Sequence, residues 1–161
     1  FAAHFPYPLD PWQTEAGAAI LRGHNVVVSA PTGAGKTAVA EMAIRAAIDG
    51  VDGSPRGRAI YTAPLKALSN QKFAELRRLF GPSRVGLLTG DMSINRDRAD
   101  VLVMTTEIYR NIAWRADVGR KEAGAADVVI LDEFHYMGQP GRGTVWEESV
   151  IFGADRRVGC L

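Results

Sequence analysis

Short apolar runs alternate with longer stretches of helical periodicity along this chain, and that alternation predicts strands interleaved with helices. Val26-Val27-Val28, Arg58 to Ala63, Val85 to Thr89, Val101 to Met104 and Val128 to Leu131 read as five strands. The last is apolar at every position, as suits a strand covered on both faces of a parallel sheet. A first helix opens at Pro11 and carries Ala16, Ala18, Ala19, Ile20 and Leu21, with proline where a helix tolerates it. A second starts at Lys36, presents Val39, Met42, Ala43, Ala46 and Ala47 on one face, and ends at Asp49-Gly50. A third, opened by Pro64-Leu65-Lys66, turns Leu65, Leu68, Phe73, Leu76, Leu79 and Phe80 toward the core and stops at Gly81-Pro82. In the fourth, to about Trp114, the Thr105 hydroxyl is expected to accept from orphan N–H groups, with Glu107 favouring the same end electrostatically. Phe5 to Asp10, Val51 to Gly57, Gly90 to Asp100 and Asp117 to Ala126 read as irregular connections. The whole predicts an α/β fold, a doubly wound parallel sheet with helices on both faces and ligands at the carboxyl ends of the strands.

The motifs fall at those ends. Between the first strand and the second helix stands Ala30-Pro31-Thr32-Gly33-Ala34-Gly35-Lys36-Thr37. A strand that turns sharply into a helix while its N–H groups converge on an anion needs residues without a Cβ, and Gly33 and Gly35 supply them. Lys36 is then placed to put a point charge on the β- and γ-phosphates, and Thr37 to hold Mg²⁺ at the helix N-terminus. This is a phosphate-binding loop, in which Ala30 replaces the first glycine of the general pattern.

At the end of the fifth strand stand Asp132 and Glu133. Asp132 can hold the cation that Thr37 touches, and Glu133 can orient or deprotonate an attacking water, which makes an NTPase. An acidic pair at a strand end is by default a turn with a helix cap; the phosphate loop in the same sheet changes that reading. His135 points the same way, because a motor needs a group that links the hydrolysis site to a neighbouring domain, although a lone histidine after a strand is more often structural. Gln13, in the first turn of the first helix, offers a donor and an acceptor together and could read an adenine edge; taken alone it reads better as a solvated glutamine.

The 161 residues fit one domain, and 47% apolar with 23% charged residues is the composition of a globular core with a solvated surface. With 19 basic and 18 acidic side chains, whole-chain charge gives no argument for a nucleic-acid partner, so any such site must be local. The single cysteine, Cys160, excludes a disulfide framework and no zinc motif is spelled out. No apolar stretch approaches the ~18 residues of a spanning helix, and Phe1 to His4 lack a signal-peptide layout, so the expectation is an intracellular protein with no membrane partner. Opening on Phe1 and closing on Leu161 within an apolar run, the chain reads as part of something longer.

Taken together, Ala30 to Thr37, Thr62-Ala63-Pro64-Leu65-Lys66-Ala67-Leu68, Asp132-Glu133-Phe134-His135 and Arg142-Gly143-Thr144-Val145-Trp146-Glu147-Glu148 resemble the first RecA-like domain of superfamily-two helicases. More narrowly the set is similar to the superkiller-type DExH-box RNA helicases of exosome-linked and organellar RNA processing. Val85 to Asp91 and Met104 to Asn111 match the same class, and Phe134 departs from the aliphatic residue usual there.

The resemblance implies a RecA-like P-loop NTPase fold over residues 1–161, cut before the Ser-Ala-Thr motif, with ATP and Mg²⁺ as cofactors. It implies that Gln13 reads adenine among Leu9, Asp10 and Trp12, and that Ala30 to Thr37 cradle the phosphates. It further implies that Lys36, Asp132, Glu133 and His135 carry catalysis, and that Pro64, Lys66, Thr89, Gly90, Thr105 and Thr106 grip one nucleic-acid strand by its backbone. Hydroxyls and N–H groups at strand ends suit that task, since they bind phosphates without reading bases. A second RecA-like domain would bring arginines to the γ-phosphate. An arginine finger contributes ~10³–10⁵ in rate, so this chain alone is expected to bind nucleotide and hydrolyse it negligibly. Two other readings stand beside the RNA helicase: a DNA-directed helicase of the same superfamily, because backbone grip does not separate RNA from DNA, and a P-loop binding module without motor activity.

Overall fold

The computed structural model describes residues 5–31, 33–50, 57–115, 126–141 and 143–152, with the backbone alone at 157–160. Among the described residues seven strands form one sheet: β1 (Val26–Val27), β2 (Arg58–Ala63), β3 (Val85–Leu88), β4 (Ser93–Ile94), β5 (Val101–Thr105), β6 (Ala126–Leu131) and β7 (Arg157–Cys160). Their order is β1-β7-β6-β2-β5-β3-β4, and every pair is parallel except β3 with β4. The helices are α1 (Pro11–Leu21), α2 (Lys36–Asp49), α3 (Lys66–Phe80), α4 (Thr106–Trp114) and α5 (Gly143–Phe152).

Because successive strand residues point to opposite faces, each central strand feeds two cores. Ala59 and Tyr61 of β2, Val101 and Val103 of β5, and Val128 and Ile130 of β6 pack beneath α1, α2 and α3. Ile60, Leu102, Val129 and Leu131 face the other way, against Tyr109 and Ile112 of α4. α2 is buried almost all round, beyond its predicted stripe, since α1 covers its outer side. The crossing is close: a Cβ on Gly17 of α1 would lie 2.7 Å from the Met42 sulfur.

Several details depart from the expected pattern. In α3 the buried stripe is Ser69, Phe73, Leu76 and Phe80, while Leu65 and Leu79 are 40% and 43% exposed. Leu65 is the extended N-cap rather than a helical residue, and Leu79 lies one position off the 3.6-residue stripe. Thr105 occupies the N-cap of α4, but its hydroxyl makes no capping bond. The connection from Gly90 to Asp100 contains β4, and Ala126 belongs to β6 rather than to a loop. The expected loops at 51–56 and 117–125, together with Thr32 and Arg142, lie outside the described residues. Among the described residues, no helix is long and apolar enough to cross a membrane.

Candidate nucleotide and nucleic-acid sites

The turn from β1 into α2 is built on two left-handed glycines, Gly33 at φ +82° and Gly35 at φ +86°. A Cβ on Gly33 would meet nothing within 4 Å, whereas one on Gly35 would lie 2.6 Å from the Gln13 Nε2. Gln13 is buried and engaged at both ends of its amide: the oxygen accepts from the Asp10 N–H at 2.8 Å, and Nε2 donates to the Gly35 carbonyl at 3.0 Å. Gln13 thus braces α1 against the phosphate loop, with the second N–H of its amide and the second lone pair of its oxygen outside these two bonds. Lys36 lays its ammonium across the start of the loop, donating to the carbonyls of Ala30 at 2.7 Å and Pro31 at 3.3 Å.

Ala30, Pro31, Gly33, Lys36 and Thr37 line a cleft of about 960 Å³ that is also lined by Asp132, Glu133 and His135. Consecutive residues of a continuing strand would point to opposite faces, so two adjacent carboxylates share one cleft only if the chain bends between them. It bends at Glu133, whose φ of +56° and ψ of +42° are left-handed for a residue with a Cβ, a strain of the kind that persists at functional sites. The chain then enters a 3₁₀ turn, Phe134–Gly138, held from behind by α5, where Trp146 stacks on Tyr136 at 5.6 Å. His135 Nδ1 lies 3.2 Å from Glu133 Oε2, with both side chains reaching solvent.

Asp132 is fixed at both oxygens. Oδ1 accepts from the Glu133 N–H at 2.8 Å and Oδ2 from the Tyr61 hydroxyl at 2.6 Å. Tyr61 is buried, and burial first, then the charge of Asp132 and the hydrogen bond to it, hold its hydroxyl well above the ordinary tyrosine value. Tyr61, Gln71 and Lys72 line the same cleft without having been singled out in the sequence. A signal for the last two existed: with Leu68 they stand at i, i+3 and i+4 on α3, one helical face that turns to the cleft instead of the core.

These residues fit a nucleotide with Mg²⁺. Among the described residues no three His, Cys, Asp or Glu side chains form a cation site of their own. A divalent ion here would take the Thr37 hydroxyl and one carboxylate, Asp132, with phosphate oxygens and water completing the shell, which is how Mg²⁺ is ordinarily held beside nucleotides. Trp12 and Ala34 line a neighbouring hollow of about 650 Å³ that shares Ala30 and Pro31 with the cleft.

The nucleic-acid candidates stand at the ends of β2, β5 and β3, which are neighbours in the sheet, so Pro64, Thr105 and Thr89 come side by side. Lys66 pairs with Asp91, whose carboxyl is drawn below its ordinary value by Lys66 first and then by the Thr89 hydroxyl. Gly90 is exposed, with open space where a Cβ would stand. Two hydroxyls are not at the surface. Thr89 is 5% exposed and donates to Asp91 at 3.1 Å; Thr106 is 1% exposed and donates to the Thr62 hydroxyl at 3.5 Å. Any contact these two make with a strand outside the protein falls to the backbone.

A phosphate loop and an acidic pair lining one cleft of a largely parallel sheet agree with the comparison to protein families, where the model described as DEAD/DEAH box helicase matches residues 10–160. The chain belongs to the DEAD/DEAH box helicase family. That membership implies use of ATP. Among curated relatives, the chloroplastic DExH-box ATP-dependent RNA helicase DExH15 of Arabidopsis thaliana is 48% identical over 153 residues, covering 92% of this chain and 12% of its own length. The ATP-dependent RNA helicase mtr4 of Schizosaccharomyces pombe is 47% identical, with 96% and 13% covered, and the antiviral helicase SKI2 of Saccharomyces cerevisiae 45%, with 93% and 11%. The chain therefore spans only 11% to 13% of the length of these relatives. Among solved structures, the DUF1998 helicase MrfA bound to DNA and AMPPNP superposes with a TM-score of 0.76 at 18% identity, over 98% of this chain and 24% of that one; at that identity the likeness bears on the fold alone.

Proposed function

We propose that residues 1–161 are the ATP-binding RecA-like domain of an ATP-dependent DExH-box RNA helicase, which works with a second RecA-like domain to move along or unwind RNA. The observation that carries this reading is the shared cleft, lined by Lys36 and Thr37 together with Asp132 and Glu133. Backbone N–H groups of the loop and the Lys36 ammonium bind the phosphates, while Thr37 and Asp132 hold Mg²⁺, which when bound neutralises charge on the phosphate oxygens. Glu133 orients a water and takes its proton, and His135, 3.2 Å from that carboxylate, relays its state toward a neighbouring domain. Pro64, Lys66, Thr89, Gly90, Thr105 and Thr106 grip the RNA backbone, the buried Thr89 and Thr106 through main-chain groups.

Binding of labelled oligo-U and mixed-sequence single-stranded RNA tests the reading. Affinity should be weak, indifferent to sequence and salt-sensitive. With about three phosphates neutralised at ~−0.7 each, log K against log[salt] should slope near −2 at the steepest, because hydroxyl and N–H contacts add little. Tight, salt-independent binding to one sequence would mean base readout and would contradict the assignment of these loops.

A further inference from the structure

Tyr61 lies in the middle of the sheet, 1% exposed, two residues before the carboxyl end of β2, with its ring in the core beneath α3 and its hydroxyl at the cleft. That hydroxyl donates to Asp132 Oδ2 at 2.6 Å across two hydrogen-bonded strands. Asp132 is anchored three further ways: its own N–H donates to the Thr62 carbonyl at 3.1 Å, Oδ1 accepts from the Glu133 N–H at 2.8 Å, and β6 is in register with β2 through Thr62 and Leu131. Lys72 of α3 stands 5.8 Å over the Tyr61 ring and donates to Glu75 at 3.1 Å, closing the far side of the tyrosine.

We infer that Tyr61 is the positioning residue for the cation site: its hydroxyl locks the Asp132 carboxylate in the one orientation that holds Mg²⁺ beside the nucleotide. The inference rests on the proposed nucleotide site and deepens it. The Glu133 N–H restrains Oδ1 alone and leaves the terminal torsion of the carboxylate a broad range; a buried donor on a rigid ring holds Oδ2 as well and narrows that range before the cation arrives. A purely structural hydrogen bond would affect stability alone. A positioning bond affects how much Mg²⁺ is needed.

The experiment measures binding of a fluorescent ATP analogue to the full-length protein against Mg²⁺ concentration, and again in chelator. In wild type, Mg²⁺ should strengthen binding. Tyr61→Phe, which keeps the ring and removes one oxygen, should leave affinity in chelator unchanged and raise the half-saturating Mg²⁺ concentration about tenfold, the lower end of the range for lost partners of metal ligands. In an Asp132→Asn background the same change should have no further effect on the Mg²⁺ requirement, because the carboxylate it orients is gone. Wild type binding ATP equally with and without Mg²⁺ would remove the site reading and this inference together. A Tyr61→Phe midpoint within about twofold of wild type, or an undiminished effect in the Asp132→Asn background, would overturn the inference and leave the site reading standing.

Discussion

Gly33→Ala and Gly35→Ala separate two costs that the sequence pattern lumps together. Both glycines are left-handed, so each substitution forces a Cβ into a conformation costing roughly 1–2 kcal/mol. At Gly33 the added Cβ meets nothing within 4 Å, and the backbone term is the whole effect. At Gly35 the Cβ would stand 2.6 Å from the Gln13 Nε2, so the amide must move and its 3.0 Å bond to the Gly35 carbonyl is lost. Gln13 is 4% exposed, and a buried amide left short of a partner costs roughly a further 1–3 kcal/mol. Gly35→Ala is therefore expected to destabilise by about 2–5 kcal/mol and Gly33→Ala by about 1–2. With about 2–4 °C per kcal/mol for a domain of this size, thermal unfolding followed by circular dichroism resolves the gap. Adding Gln13→Ala should abolish most of the difference, since the clash partner is then absent. Equal destabilisation by the two glycine variants would refute the argument that Gln13 braces the loop.

Lys36→Ala should abolish binding of a fluorescent ATP analogue while leaving the circular dichroism spectrum unchanged, because among the described residues the ammonium bonds to the carbonyls of its own loop, Ala30 and Pro31; equal affinities would remove the loop assignment. Tyr61 makes stability fall at alkaline pH. Its folded-state value is raised, so its contribution is complete below the ordinary value of 10.0 and is lost as pH rises above it. Urea titrations from about pH 8 to about pH 11 should show a steeper alkaline loss in wild type than in Tyr61→Phe, and parallel curves would contradict the buried Tyr61–Asp132 bond.

Most of what positions the site was legible because local chemistry decides it. Arg58–Ala63 and Lys36–Asp49 coincide with their expected bounds, where Gly35 and Gly50 leave the chain few alternatives. That Lys36 and Asp132 share one cleft followed from β1 and β6 running parallel, so that the segments after them lie at the same end of the sheet. α5 and β7 were not foreseen as elements: β7 is four residues whose pairing with β1 and β6 is set by the sheet and not by its own pattern. The Tyr61 bond to Asp132 was equally hidden, since it depends on β2 and β6 being neighbours although 71 residues separate the two side chains. The brace formed by Gln13 was hidden for a similar reason, since one of its two partners is the backbone of Gly35, 22 residues further along the chain.

The most direct test of the central claim is turnover by Glu133→Gln in the full-length protein, with single-stranded RNA present. The amide keeps the shape of the left-handed turn and removes the base, so the variant should bind ATP and Mg²⁺ as wild type does while its steady-state ATPase rate falls by ~10²–10⁴. A rate within about twofold of wild type would remove Glu133 from the chemistry and, with it, the reading of this cleft as a hydrolysis site.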